Sequence, residues 1–119
     1  MLDSPPIVET GVENLALLPS GPLPPRPADL LGSLRMDAVV ERLLKEYDML
    51  LFDAPPVVGV TDAIVLATKV DAVLLVVSAG ETKREQAQSA IERLRAVNAH
   101  IVGSVLNNAP ITASLSSYY

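Results

Sequence analysis

The chain has 119 residues, of which 50% are apolar and 3% aromatic, and it carries a formal net charge of −5 and no cysteine. This length suits one domain with an aliphatic core, and the lack of cysteine excludes disulfides, thiol nucleophiles and cysteine-based zinc sites. There is no cluster of Lys or Arg and no apolar run near the roughly 20 residues that span a bilayer, so we expect neither a nucleic-acid partner nor direct membrane insertion.

The first part of the chain predicts one short strand and two helices. An irregular lead-in over 1–13 precedes a strand over 15–18, and the prolines between 19 and 27 favour an extended loop. Pro27 suits the first turn of a short helix through Leu31. Ser33 is a candidate cap for a helix over 34–46, whose apolar residues recur every three or four positions. That spacing is typical of a helix packed on a sheet.

The rest of the chain alternates apolar runs with helices. Uninterrupted apolar runs at 49–52, 72–77 and 101–106 predict strands buried on both faces. A helix over 63–68 follows Thr61 and Asp62, and a capping box of Thr82 and Glu85 opens a helix over 83–97. Because such elements join through right-handed crossovers, we expect an α/β fold, a parallel sheet with helices on both faces.

The carboxyl ends of parallel strands meet at one edge of a sheet, where ligands bind. Asp53, the turn over 78–80, and Asn107 with Asn108 should therefore converge. An acidic residue that closes a buried strand is a Walker B-like pattern, which orders the Mg²⁺ of a bound nucleotide, and an asparagine amide suits a base. Asp53 also fits a simpler interpretation, in which it only caps the turn that follows.

Two other kinds of site are disfavoured by missing motifs. No glycine is followed by lysine, so the G-x-x-x-x-G-K-[ST] phosphate loop is absent, as is G-x-G-x-x-G, and we expect this chain alone to bind Mg·ATP poorly. A hydrolase is disfavoured because there is no G-x-S-x-G elbow and because His100, which is expected at the surface, has no evident Ser or Asp partner. Asp62 could pair with Asp53 in acid–base catalysis, but helix-start chemistry explains Asp62 better.

Several blocks of sequence carry a family resemblance: 11–15 running into 18–21, the proline-rich block Leu23-Pro24-Pro25-Arg26-Pro27-Ala28-Asp29-Leu30-Leu31-Gly32-Ser33, 47–57 with its Asp-Ala-Pro-Pro, 60–63 and 70–77. Over about 10–108 the chain resembles the C-terminal half of the kinase domain of bacterial tyrosine kinases, the CpsD/CapB family or BY-kinases, which act in capsule and exopolysaccharide synthesis. The resemblance implies a P-loop NTPase-like, three-layer fold truncated on its N-terminal side. It places the C-terminal part of a kinase domain at 1–110 and a flexible Ser/Tyr tail at 111–119.

The resemblance also implies roles for individual residues. Asp53 is the catalytic Walker B carboxylate and a ligand of Mg²⁺, and Asn107 contacts the nucleotide. Tyr118 and Tyr119 stand where the family carries its phosphoacceptor tyrosines. ATP and Mg²⁺ are the implied cofactors. The family's Walker A and A′ motifs and its oligomerisation motif precede the matched region, so we expect a truncated kinase half that is inactive by itself.

Three functions remain open at this stage. The favoured one is part of a cytoplasmic ATP-dependent autokinase that regulates capsule or exopolysaccharide synthesis and export. Its implied partners are a homo-oligomer and a membrane activator or polysaccharide co-polymerase, which would hold it at the inner face of the membrane. The alternatives are a catalytically inactive docking module for a kinase or co-polymerase, and a fragment of a MinD/ParA-like ATPase.

Overall fold

The computed structural model of the chain describes residues 4–111. The predicted phosphoacceptors Tyr118 and Tyr119, and the predicted tail beyond residue 111, lie outside the described residues. The chain divides into two units, Met1–Phe52 and Asp53–Tyr119. A single domain over 1–110 stays a prediction.

The first unit begins with a small antiparallel pair of strands. These are β1 (Val8–Glu9) and β2 (Ala16–Leu17). The Thr10 hydroxyl closes the connection between them, accepting a hydrogen bond from the N–H of Val12 at 3.1 Å and donating one to the carbonyl of Leu15 at 2.8 Å. The strand predicted over 15–18 is thus present in shortened form. The prediction of an irregular lead-in over 1–13 was wrong at β1, which forms because this turn brings it back alongside β2.

Two helices complete the first unit, α1 (Pro27–Leu31) and α2 (Leu34–Glu46), and both match their predicted positions. Pro27 is the first residue of α1. Proline lacks a backbone N–H, and at this position an N–H would have no hydrogen-bond partner within the helix. The Ser33 hydroxyl accepts a hydrogen bond from the N–H of Met36 at 3.3 Å, so it caps α2 as predicted. Leu43 is the buried residue of α2.

The second unit contains α3 (Asp62–Ala67), β3 (Val73–Ser78), α4 (Arg84–Ala96) and β4 (Ile101–Asn107). Strands β3 and β4 pair in parallel, with a register irregularity between Val73 and Leu74. The core of this unit is aliphatic and lies on the two helices, where Leu94 has no exposed surface. Its other buried side chains are those of Ala63, Leu66, Ala67 and Ala90. The predicted α/β class with a parallel sheet is confirmed.

Three details of the prediction were wrong. The apolar run over 49–52 forms no strand, and Met49 and Leu51 are 80% and 92% exposed. A strand needs partner backbone, and within the described residues this run has none. Helix α3 begins one residue early, at Asp62, without a side-chain cap from Thr61.

The capping box at the start of α4 was the third error. The helix begins at Arg84, and the backbone N–H of Lys83 donates to Oε1 of Gln86 at 3.0 Å. Glu85 therefore does not fill the predicted position. Thr82 is not the cap, since the N-cap residue of α4 is Lys83, and the Thr82 hydroxyl instead accepts a hydrogen bond from the N–H of Ser78 at 2.9 Å.

Candidate functional site

The candidate site lies where β3 and β4 end. Ser78 and Asn107 are the last residues of the two strands and are paired in register. The backbone N–H of Ala79 donates to the carbonyl of Asn107 at 2.8 Å, which extends the ladder beyond the strands. The Asn108 side-chain amide donates to the Ser78 hydroxyl at 2.8 Å. These bonds bring the two strand exits together, as the sequence predicted for residues 78–80, 107 and 108.

The exit of β3 is a tight, hydrogen-bonded turn. The carbonyl of Ser78 accepts bonds from the N–H groups of Glu81 at 3.2 Å and Thr82 at 2.9 Å. Gly80 has a φ of +78°, in the left-handed region that glycine adopts without steric cost. The N–H of Ser78 also donates to the Thr82 hydroxyl, so two hydrogen bonds join Ser78 and Thr82, and each residue donates one of them. The sequence reasoning assigned Thr82 to the helix cap and missed this role. The signal was the spacing, a Ser and a Thr that flank Ala-Gly-Glu at a strand end.

Asn107 presents a polar side chain at this edge. Its carbonyl is used in the bond from Ala79, but its side-chain amide has no hydrogen bond within residues 4–111. The residue is exposed. The next residue, Asn108, has a φ of +57° and uses its own amide to hold Ser78. The two asparagines therefore differ. The side-chain amide of Asn108 is used in the hydrogen bond to Ser78, whereas that of Asn107 keeps its donor and acceptor free within the described residues.

Asp53 is not brought into this cluster by any hydrogen bond or ion pair among the described residues. It is exposed and lies in a segment that is neither helix nor strand. No group of three or more potential metal ligands occurs in the described part of the chain. A single carboxylate nevertheless fits Mg²⁺ in a nucleotide site, where phosphates and water supply the other ligands. The catalytic and metal-binding roles of Asp53 stay predictions.

The remaining sequence candidates are not part of this cluster. Asp62 is the first residue of α3, in keeping with helix-start chemistry. His100 is exposed immediately before β4, as expected for a surface histidine. None of the helices over residues 4–111 is long and apolar enough to cross a membrane.

Comparison with known proteins gives close relatives, although no family model matches the chain. It is 38% identical over 113 residues to the putative tyrosine-protein kinase CapB of Staphylococcus aureus, covering 95% of this chain and 50% of CapB. It is 38% identical over 100 residues to the tyrosine-protein kinase YwqD of Bacillus subtilis, covering 84% of this chain and 42% of YwqD.

Solved structures have the same fold. The VpsO kinase domain superposes with a TM-score of 0.80 at 27% identity, over 87% of this chain and 51% of VpsO. The chimerical protein CapA2B2 superposes with a TM-score of 0.84 at 33% identity, over 88% of this chain and 46% of CapA2B2. By sequence and by fold the chain is therefore related to the bacterial tyrosine kinases of the CpsD/CapB family, and it spans about half the length of the relatives it matches.

Proposed function

We propose that the chain is the part of an ATP-dependent protein tyrosine kinase domain that supplies the Walker B carboxylate and a contact to the nucleotide. The observation that carries this proposal is the match to CapB over 95% of the chain. The hydrogen-bonded edge of β3 and β4 adds support, since open α/β sheets bind ligands where their strands end. The kinase would act in capsule or exopolysaccharide synthesis and export.

Asp53 and Asn107 have separate roles in this proposal. Asp53 would hold Mg²⁺ through an exposed carboxylate that forms no ion pair within the described residues. Mg²⁺, when bound, would neutralise charge on the transferring phosphoryl group. Asn107 would donate to, or accept from, the edge of the base with its free side-chain amide. Ser78 and Asn108 would keep that amide in place by joining the strand exits.

The phosphate acceptors and the partners are also part of the proposal. Tyr118 and Tyr119 would receive phosphate from a neighbouring copy in a homo-oligomer. A membrane activator or polysaccharide co-polymerase would hold the cytoplasmic kinase at the inner face of the membrane. This arrangement needs no membrane-spanning helix from residues 4–111.

A chimeric kinase tests the proposal. Residues 1–119 replace the matched region of Staphylococcus aureus CapB, and ATP-dependent phosphotyrosine is measured with an antibody and by mass spectrometry. We expect labelling of Tyr118 or Tyr119 that falls on the order of 100-fold in Asp53→Asn, because an electrostatic contact to the transition state is lost. Asp71→Asn is the matched control, since Asp71 is also exposed but precedes β3 at the opposite end of the strand.

Two results would count against the kinase assignment. One is a folded chimera that binds ATP without forming phosphotyrosine, and the other is an equal effect of Asp53→Asn and Asp71→Asn. The first result would favour the catalytically inactive docking module.

A further inference from the structure

Strand β4 has one free edge among the described residues. Its backbone pairs with β3 on one side, and on the other side no strand of residues 4–111 lies beside it. A free edge presents a row of N–H and C=O groups that can pair with a further strand. Most of β4 is exposed, including Val102 at 57% and Leu106 at 60%. The strand is therefore suited to pairing with one more segment of extended chain.

An open cleft of about 270 Å³ lies beside the first half of β4. It is lined by residues 101–104 of that strand and by Leu75, Ile91 and Arg95. Arg95 is exposed, and its guanidinium forms no ion pair within the described residues. Pockets for small-molecule ligands begin at roughly 300 Å³, so this cleft suits a single side chain better than a cofactor. Aliphatic walls with one guanidinium favour an aromatic ring, which packs on apolar carbon and attracts a cation at its face.

The chain carries an aromatic residue at a matching distance beyond β4. Asn108 has a φ of +57°, a conformation typical of turns, so the chain changes direction directly after the strand. A four-residue hairpin loop over 108–111, which is a common length, would place the following residue opposite Asn107. The next seven residues would then pair with the seven of β4, over a span of about 20 Å, and Tyr118 would lie opposite Ile101. This register brings the ring of Tyr118 to the cleft.

The same segment of a second copy is a poorer occupant of this edge. Each copy carries a net charge of −5, so bringing two copies together is opposed by repulsion. The segment 112–118 contains no charged residue, so it adds no like charge to its own chain. A short loop would also hold it near β4 at an effective concentration on the order of millimolar.

We propose that the segment 112–118 of this chain pairs antiparallel with the free edge of β4 and places the Tyr118 ring in the cleft beside Arg95. Tyr118 and Ile101 would form a cross-strand pair of an aromatic and a β-branched residue, which stabilises antiparallel strands. Docked there, Tyr118 would lie at the opposite end of β4 from Asn107. The docked segment would therefore withhold Tyr118 from a neighbouring copy's kinase site. That consequence rests on the proposed function, whereas the docking itself does not.

Disulfide cross-linking tests the pairing, because the chain contains no cysteine of its own. In the proposed register Ser114 lies opposite Val105, which is 43% exposed, so Val105→Cys with Ser114→Cys should form a disulfide within one chain. The matched control combines Val105→Cys with Leu115→Cys, because successive residues of a strand point to opposite faces. In a glutathione redox buffer we expect the first pair to close at least about tenfold faster than the control pair.

Two further variants extend the measurement. Gly103→Cys with Ser116→Cys repeats it two residues along the strand, where a Cβ at Gly103 would make only an ordinary contact of 3.9 Å with Leu74. Adding Tyr118→Ser to the Val105 and Ser114 pair should slow its closure at least about fivefold, because the ring loses its contacts in the cleft. Tyr119→Ser is the matched control, since residue 119 lies beyond the end of β4 in this register.

Non-reducing electrophoresis separates cross-links within one chain from those between chains. The inference is overturned if the matched and control cysteine pairs close at equal rates, or if cross-links form only between chains. It is also overturned if Tyr118→Ser slows closure no more than Tyr119→Ser. None of these measurements uses nucleotide or phosphotyrosine, so a failure of the docking is distinguished from a failure of the proposed kinase function.

Discussion

The hydrogen bond between Asn108 and Ser78 gives a sharp test of the candidate site. Asn108→Ala removes the side-chain amide that donates to the Ser78 hydroxyl at 2.8 Å. It also places alanine at a φ of +57°. Asn98 is a matched control, because it has a φ of +58° but no side-chain hydrogen bond within the described residues. The difference between Asn108→Ala and Asn98→Ala therefore isolates the hydrogen bond.

The magnitude follows from two contributions. Alanine in the left-handed region costs about 1–2 kcal/mol, and both substitutions include this cost. The hydrogen bond adds about 0.5–1.5 kcal/mol at Asn108, and because it is exposed we expect about 0.5–1 kcal/mol. With a urea dependence of about 2 kcal/mol per molar, the midpoint of Asn108→Ala should lie about 0.3–0.5 M below that of Asn98→Ala.

Urea unfolding followed by circular dichroism measures the two midpoints. A double-mutant cycle of Asn108→Ala with Ser78→Ala should give a coupling of similar size, since both members of the bond are removed. Equal midpoints for Asn108→Ala and Asn98→Ala, together with zero coupling in the cycle, would refute the link between the strand exits.

Two further predictions concern the scaffold. Leu94→Ala should reduce the free energy of unfolding by about 2–5 kcal/mol, because Leu94 has no exposed surface and its truncation leaves a cavity. The same substitution at Leu44 in α2, which is 51% exposed, should cost about 1 kcal/mol, and similar losses at both positions by chemical denaturation would contradict the assigned core. Ser33→Ala should cost about 1 kcal/mol through loss of the α2 cap, and Ser33→Asn should restore most of it in the same assay.

Elements that depend on neighbouring residues were predictable from the sequence. Helix α2 occupies its predicted range because Ser33 accepts a bond from Met36, three residues away, and the apolar residues recur at helical spacing. The positions of β3 and β4 followed from two aliphatic runs separated by a helix. Since parallel strands end at a common edge, the convergence of the 78–80 turn with Asn107 and Asn108 followed as well.

Other features depend on backbone that is distant in sequence. The run over 49–52 has the composition of a buried strand, yet it pairs with nothing among the described residues, and Leu51 is 92% exposed. Thr82 has the spacing of a helix cap, but its hydroxyl instead accepts a hydrogen bond from the N–H of Ser78 at the end of β3. The sequence alone determined the approximate ranges of the helices, the positions of β3 and β4 and their shared edge, because apolar periodicity acts over a few residues. Only the tertiary structure decided which apolar run joins the sheet, because a strand forms when distant backbone supplies its hydrogen bonds.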